Sequence, residues 1–261
     1  MCLLIFAWKI HDEFPLTIAA NRDELYDRPS LSFSVHRRQN PRIVGGRDLS
    51  AGGTWLAINE YGVISGLTNA PSPDGRDASK RSRGELPLIL SGFRKAADGV
   101  QEFMSRVRPG QYNPAWLLVG DRSHLFYIEV STENEPLVRE LQPGLHILEN
   151  APLDDDSSKV RFVKGELGET VDNNMLLWNA LPGVLSSHVV VPPTSYELYK
   201  SQGMSRRPET RSPCVHTKGY GTRSAMLVRV AAEVSKQPEM LVADGCPCKS
   251  PFVDVSSIWK A

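Results

Sequence analysis

Apolar residues along the chain recur with two different periods, and the change from one to the other outlines the fold. Short apolar runs at Cys2–Ile10 and Pro15–Asn21, separated by a four-residue turn His11–Phe14, predict a β-hairpin in which Cys2 faces Asp23. A stretch rich in Arg, Ser, Pro and Gly then reads as a loop as far as Gly53. A second hairpin, Thr54–Asn59 and Val63–Thr68, turns through Glu60, Tyr61 and Gly62, so four strands are expected before any helix. From Gly84 to Val107 the period becomes helical: Leu86, Ile89, Leu90, Phe93, Ala97, Val100, Phe103 and Val107 share one face, and Pro87 falls in the first turn, where it is tolerated.

Strands resume at Ala115–Val119, His124–Val130, Leu137–Leu141 and Leu145–Leu148. Two helices are predicted at Ser157–Leu167 and Glu169–Leu181, followed by a Pro-, Ser- and Arg-rich loop to Pro213. The last strands are Cys214–Lys218, Thr222–Ala231, Met240–Ala243 and Phe252–Trp259. With neither linker nor internal repeat, strands then helices then strands predict one α+β domain over residues 1–261.

Charge narrows the function classes. Thirty basic and thirty acidic side chains leave a net charge of zero, which disfavours sequence-independent binding to nucleic acid or to anionic lipid. No apolar run approaches the ~18 residues of a membrane helix, and the opening run Cys2–Trp8 lacks a basic flank and a cleavage site, so neither a span nor a secretory signal is expected. Four cysteines, at 2, 214, 246 and 248, are too few for a disulfide framework, and there is no N-glycosylation sequon. These features predict a soluble, intracellular, cytoplasmic protein.

The residue with most chemical content is Cys2. Removal of Met1 would leave a thiol and a free α-amine on one residue, with reference pKa values near ~8.5 and ~8, a nucleophile with its own base. Asn21-Arg22-Asp23-Glu24 would then meet the terminus with a carboxylate for the ammonium and a guanidinium to lower the thiol. Asn69-Ala70-Pro71 and Asn150-Ala151-Pro152 each end a strand on an amide donor suited to a developing oxyanion. Gly219-Tyr220-Gly221-Thr222-Arg223 puts an arginine just past a tight turn. Cys214-x-His216 and Cys246-x-Cys248 could supply four zinc ligands, but neither pair has the usual Cys-x2-4-Cys spacing, and no metal is expected.

Taken together, Met1-Cys2, Asn21-Arg22-Asp23-Glu24, Gly52-Gly53-Thr54-Trp55-Leu56, Leu67-Thr68-Asn69, Arg83-Gly84-Glu85-Leu86, Asn150-Ala151 and Gly219-Tyr220-Gly221-Thr222-Arg223 resemble the NRDE family, which includes the eukaryotic Transport and Golgi organization proteins. The resemblance implies an N-terminal-nucleophile (Ntn) hydrolase-like αββα sandwich with two antiparallel sheets. A more distant likeness is to the penicillin V acylases and bile salt hydrolases. It implies that Cys2 is the nucleophile, Asp23 the holder of the amine, Asn69 and Asn150 the residues near the oxyanion, and Arg223 the late arginine of the site. In that group an arginine precedes the aspartate by three residues, whereas Arg22 is adjacent to Asp23. The expected function is a cofactor-free amidohydrolase acting on a small-molecule C–N amide. The alternative is a carrier of an apolar ligand, since the resemblance brings in haem trafficking and lipid homeostasis.

Overall fold

The computed structural model describes residues 2–72, 75–153, 155–193 and 208–260. Before the first helix come β1 (Cys2–Trp8), β2 (Leu16–Leu25), β3 (Ser30–Arg37), β4 (Ile43–Asp48), β5 (Leu56–Asn59) and β6 (Ile64–Asn69). After α1 (Glu85–Leu90) and α2 (Ala96–Arg106) follow β7 (Ala115–Gly120), β8 (Leu125–Val130), β9 (Leu137–Glu140) and β10 (Gly144–Leu148). Then come α3 (Ser158–Leu167), α4 (Asn174–Ser186), β11 (Tyr220–Val230), β12 (Glu239–Ala243) and β13 (Phe252–Asp254). The strands form two antiparallel sheets, one ordered β10-β1-β2-β11-β12-β13 and the other β3-β4-β5-β6-β7-β8-β9.

Strand alternation divides the core into three apolar layers. Leu4, Phe6 and Trp8 of β1 and Leu16, Ile18 and Ala20 of β2 point between the sheets, where they meet Val44, Leu56, Ile58 and Ile64. Leu3, Ile5, Ala7 and Ala19 point the other way, onto Val160, Val163, Leu177 and Leu181 of α3 and α4. On the far side of the second sheet, Leu67, Leu117 and Ile128 pack against Leu86, Leu90 and Phe103 of α1 and α2. The result is the expected α+β sandwich with helices on both outer faces. None of the helices among the described residues is long and apolar enough to cross a membrane.

Six expectations need correction, two of them near the end of the chain: Cys214–Lys218 forms no strand and makes only the isolated His216–Gly221 bridge, and the last strand stops at Asp254 before a 3-10 turn over Ser256–Lys260, where Ser256 N–H turns back to Asp254 Oδ1 at 2.7 Å. The first hairpin closes through seven residues, with Lys9 N–H donating to Pro15 O at 2.7 Å and Lys9 at φ 50°, so its pairing is displaced by one and Cys2 faces Arg22. The supposed loop before Gly53 contains β3 and β4; β3 is an edge strand, only half-buried, so its polar face masks the pattern. The helix expected over Gly84–Val107 is broken after Leu90, where the Asn59 amide donates to both Ser91 O and Phe93 O. The helix expected from Glu169 begins at Asn174, after a 3-10 turn, because the Asn173 side chain caps it at Leu176 N–H.

One close approach fixes the loop that carries Arg83. Gly53 (φ +78°) lies back to back with Gly84, and a Cβ added to it would come within 2.4 Å of the Gly84 carbonyl carbon. Thr54 N–H donates to Gly84 O at 2.9 Å across the same junction. Gly52 has a similar φ of +67° with nothing within 4 Å, so it isolates backbone strain from collision. Gly52→Ala is expected to cost about 1 kcal/mol and Gly53→Ala about 3 kcal/mol or more. Urea unfolding of both variants checks this, and equal losses would show that the junction yields without cost.

Candidate active site

Cys2 begins β1 with its side chain on the face between the sheets, packed against the central core. Its cross-strand neighbour Arg22 lies on the same face, and the Arg22 guanidinium stacks on the Trp55 ring at 4.5 Å. Arg22 also donates to Ser30 Oγ at 3.3 Å and pairs with Glu24 at 3.5 Å and Asp48 at 3.9 Å. The residue is only 4% exposed, so these contacts replace the water it has lost. The expectation that Arg22 lowers the Cys2 thiol is outweighed: burial pushes the thiol up, the Asp23 carboxylate adds to that, and Arg22 with the Asp23 backbone N–H offsets only part.

Asp23, one residue further on, points to the helix side of the sheet and is also buried. Thr222 Oγ1 donates to its Oδ1 at 2.6 Å, and the Tyr220 hydroxyl donates to its carbonyl oxygen at 3.0 Å. Burial pushes the Asp23 carboxyl up from its ordinary value, against the pull of Lys159 and of the Thr222 hydroxyl. Lys159 is itself buried and pairs with Glu149 at 3.8 Å. The Tyr220 phenol is pushed up by burial and by the charges of Asp23, Cys2 and Glu24, which keeps it a donor.

The two asparagines meet across the gap between the sheets. Asn150, just past β10, accepts from the Cys2 backbone N–H through Oδ1 at 3.2 Å and donates through Nδ2 to Asn69 O, at the end of β6, at 2.7 Å. Its side chain therefore spans from the first residue of one sheet to the last residue of a strand in the other. The Asn69 side chain is exposed at that strand end. Arg223 occupies a different place: β11 carries one extra residue there relative to β2, and Arg223 Nη1 donates to the carbonyls of Leu25 at 2.9 Å and Tyr26 at 2.6 Å. Cys2, Arg22, Asp23, Asn69 and Asn150 thus come together, while Arg223 braces the turn after β2. Met1 lies outside the described residues.

Sequence reasoning passed over three neighbours. Arg83 is held by Pro114 O at 3.0 Å and brought down to about 10 chiefly by burial and Arg76, while the charges of Glu24 and Cys2 act in the opposite sense. Lys159 and Tyr220 stand around Asp23. Arg83 and Tyr220 fall inside the quoted motifs, so that signal existed; a lysine in the first turn of a helix carries no mark of burial. At a separate point, formed by the segment before β11 and the loop after β12, His188, Cys214, His216 and Cys248 bring ligand atoms within 4.8 Å of one another with the Cys246 sulfur among them, the one such group among the described residues.

Comparison with known proteins places the chain. It is 29% identical over 256 residues to the mouse Transport and Golgi organization 2 homolog, covering 89% of each, and 28% identical over 256 residues to the human one, covering 89% of this chain and 90% of that protein. Among solved structures, the Caenorhabditis elegans ortholog of N-acylethanolamine-hydrolyzing acid amidase superposes with a TM-score of 0.52 at 16% identity, over 71% of this chain and 86% of that one. This likeness shows the Ntn hydrolase-like fold. The family model described as Transport and Golgi organisation 2 matches residues 1–237, and the chain belongs to that family.

Proposed function

We propose that this chain is an Ntn-type amidohydrolase in which Cys2, freed of Met1, attacks the carbonyl of a C–N amide. The observation that carries the reading is the seat of Cys2: its backbone nitrogen is held by Asn150 Oδ1 at 3.2 Å, with Arg22 opposite the thiol and the Asp23 carboxylate close by. With Met1 removed, that nitrogen becomes an amine beside the thiol. Because burial raises the thiol, the sulfur needs a base, and the amine supplies one by taking the proton as sulfur adds to the carbonyl carbon. The Asn69 and Asn150 amides are the oxyanion donors. Collapse breaks the C–N bond, the α-ammonium returns its proton to the leaving nitrogen, and a thioester remains. Water, deprotonated by the same amine, cleaves the C–S bond to give the acid and restore the thiol.

Asp23 is the carboxylate that holds the ammonium. Its raised pKa means that ionised Asp23 costs the fold stability: the cost is absent below the ordinary value of 3.8 and grows as pH rises through the folded value. Asp23→Asn removes that cost while keeping the Thr222 hydrogen bond. Its melting temperature should therefore rise relative to wild type once the pH is taken above about 4, while Cys2 labelling of Met1-free protein slows about tenfold or more. A large stability loss at every pH with labelling unchanged would make Asp23 a purely structural residue.

The direct test offers a short-chain N-acyl anilide to Met1-free protein, with acid quenching and intact mass. The expected result is an acyl adduct on Cys2 or release of the aniline, both abolished in Cys2→Ala and both absent when Met1 is retained. Neither product from Met1-free protein would overturn the reading. In that case, equal binding of haemin or a long-chain acyl ligand by wild type and Cys2→Ala would identify the carrier alternative, since apolar burial needs no thiol.

A further inference from the structure

The geometry points to a structural zinc site made by Cys214, His216, Cys246 and Cys248, separate from the nucleophile. Cys246 Sγ lies 3.2 Å from Cys214 Sγ and 3.5 Å from Cys248 Sγ. His216 Nε2 lies 2.9 Å from Cys246 Sγ, 3.4 Å from Cys248 Sγ and 3.9 Å from Cys214 Sγ. A disulfide needs about 2.05 Å, so none of the three sulfurs is bonded to another. A tetrahedron with Zn–S of ~2.3 Å and Zn–N of ~2.05 Å has edges of ~3.8 Å and ~3.5 Å, within a few tenths of an ångström of most of these distances. Three thiols and an imidazole converging from two loops on one point form the donor set that zinc selects.

The local backbone explains how Cys-x-His and Cys-x-Cys can serve in place of the usual spacing. Cys214 and His216 sit two apart on an extended segment, so both side chains leave the same face. That segment is pinned to the start of β11 by the His216–Gly221 bridge, and Thr222 N–H donates to Val215 O at 2.8 Å while Val215 N–H donates to Thr222 Oγ1 at 2.9 Å. A Cβ at Gly221 would come within 2.5 Å of Val215 O, so only glycine lets the segment lie this close. Across from it, Lys249 and Ser250 N–H groups both donate to Cys246 O, curling the chain so that Cys246 and Cys248 point together. An open groove of about 480 Å³, lined by Tyr26, His216, Arg223 and Cys246 among others, gives an ion a way in.

His188 stands beside the cluster, its ring edge-on to His216 at 4.8 Å and its Nδ1 3.1 Å from Cys214 O. Cys246 is assigned as the ligand in its place because its sulfur is within 3.5 Å of each of the other three donors. The ion would staple the Cys214–His216 segment to the loop after β12, and Thr222, which brackets that segment, also holds Asp23. Zinc here would brace the nucleophile's surroundings without touching the reaction.

Full-length protein, purified without metal-affinity resin or chelators, tests the site by elemental analysis, with one zinc per chain expected. Against a chromophoric chelator, Cys246→Ser and Cys248→Ser should each weaken zinc at least ~100-fold, and His188→Ala by no more than ~10-fold. If the serine variants do not fold, cobalt substituted into wild type reads the same donors, with tetrahedral visible bands and charge transfer from three thiolates. No metal after zinc loading, or a Cys214–Cys246 disulfide in freshly isolated protein, would overturn the site. A two-thiolate cobalt spectrum together with metal loss in His188→Ala would overturn the ligand set.

Discussion

Burial of charge at one end of the six-stranded sheet is the constraint on which the rest of this molecule turns. Arg22, Asp23, Glu149 and Lys159 are each no more than 4% exposed. Taking such groups out of water costs several kcal/mol apiece unless partners replace the water, and a hydrophobic substitute of the same shape would often be more stable. Here partners replace the water: Trp55, Ser30, Glu24 and Asp48 for Arg22, Thr222 for Asp23, and Glu149 and Lys159 for each other. A sandwich held together only by its three apolar layers has no need of this cluster. Its cost is understandable if the charges serve the residue at their centre, Cys2.

Strand geometry explains how adjacent residues can serve that centre from two sides. Successive side chains leave opposite faces, so Arg22 joins Cys2 between the sheets while Asp23 enters the helix side. On its own face the Arg22 guanidinium has Trp55, Glu24 and Asp48 as neighbours.

The parts of the fold that the sequence made legible are those where one period dominates. The strand runs of β1, β5, β7 and β8 are buried and apolar, and their extents follow the pattern closely. β3 escaped notice because an edge strand exposes one face and its polar residues read as loop, and β4, which lies between β3 and β5, because its Gly45-Gly46 pair reads as a turn. The break between α1 and α2 depends on Asn59, more than thirty residues away, whose amide takes two carbonyls out of the helical ladder. Local periodicity contains no such information. The same holds in the site: Cys2, Arg22, Asp23 and Asn150 could be named from motifs, but the pairing of Cys2 with Arg22 hung on a seven-residue loop whose length no pattern fixes. Lys159 was invisible, because nothing in the helical pattern around it shows that Glu149 and Asp23 stand beside it in the fold.

β11 links the two chemical centres. An extra residue in this strand breaks its register with β2 between Thr222 and Ser224. On one side of the break Thr222 stays opposite Asp23 and gives it a hydroxyl; on the other, Ser224 falls opposite Arg22. The extra residue is Arg223, which is displaced from the ladder and reaches the carbonyls of Leu25 and Tyr26. Without the bulge, residue 223 would face Arg22 across the ladder, setting two guanidiniums against each other where Coulomb repulsion and desolvation add. The bulge converts that conflict into a brace on the turn after β2, and the same stretch of strand then holds Asp23 on one side and the cysteine-rich segment on the other. A displacement of this segment would therefore reach Asp23 through the hydroxyls of Thr222 and Tyr220.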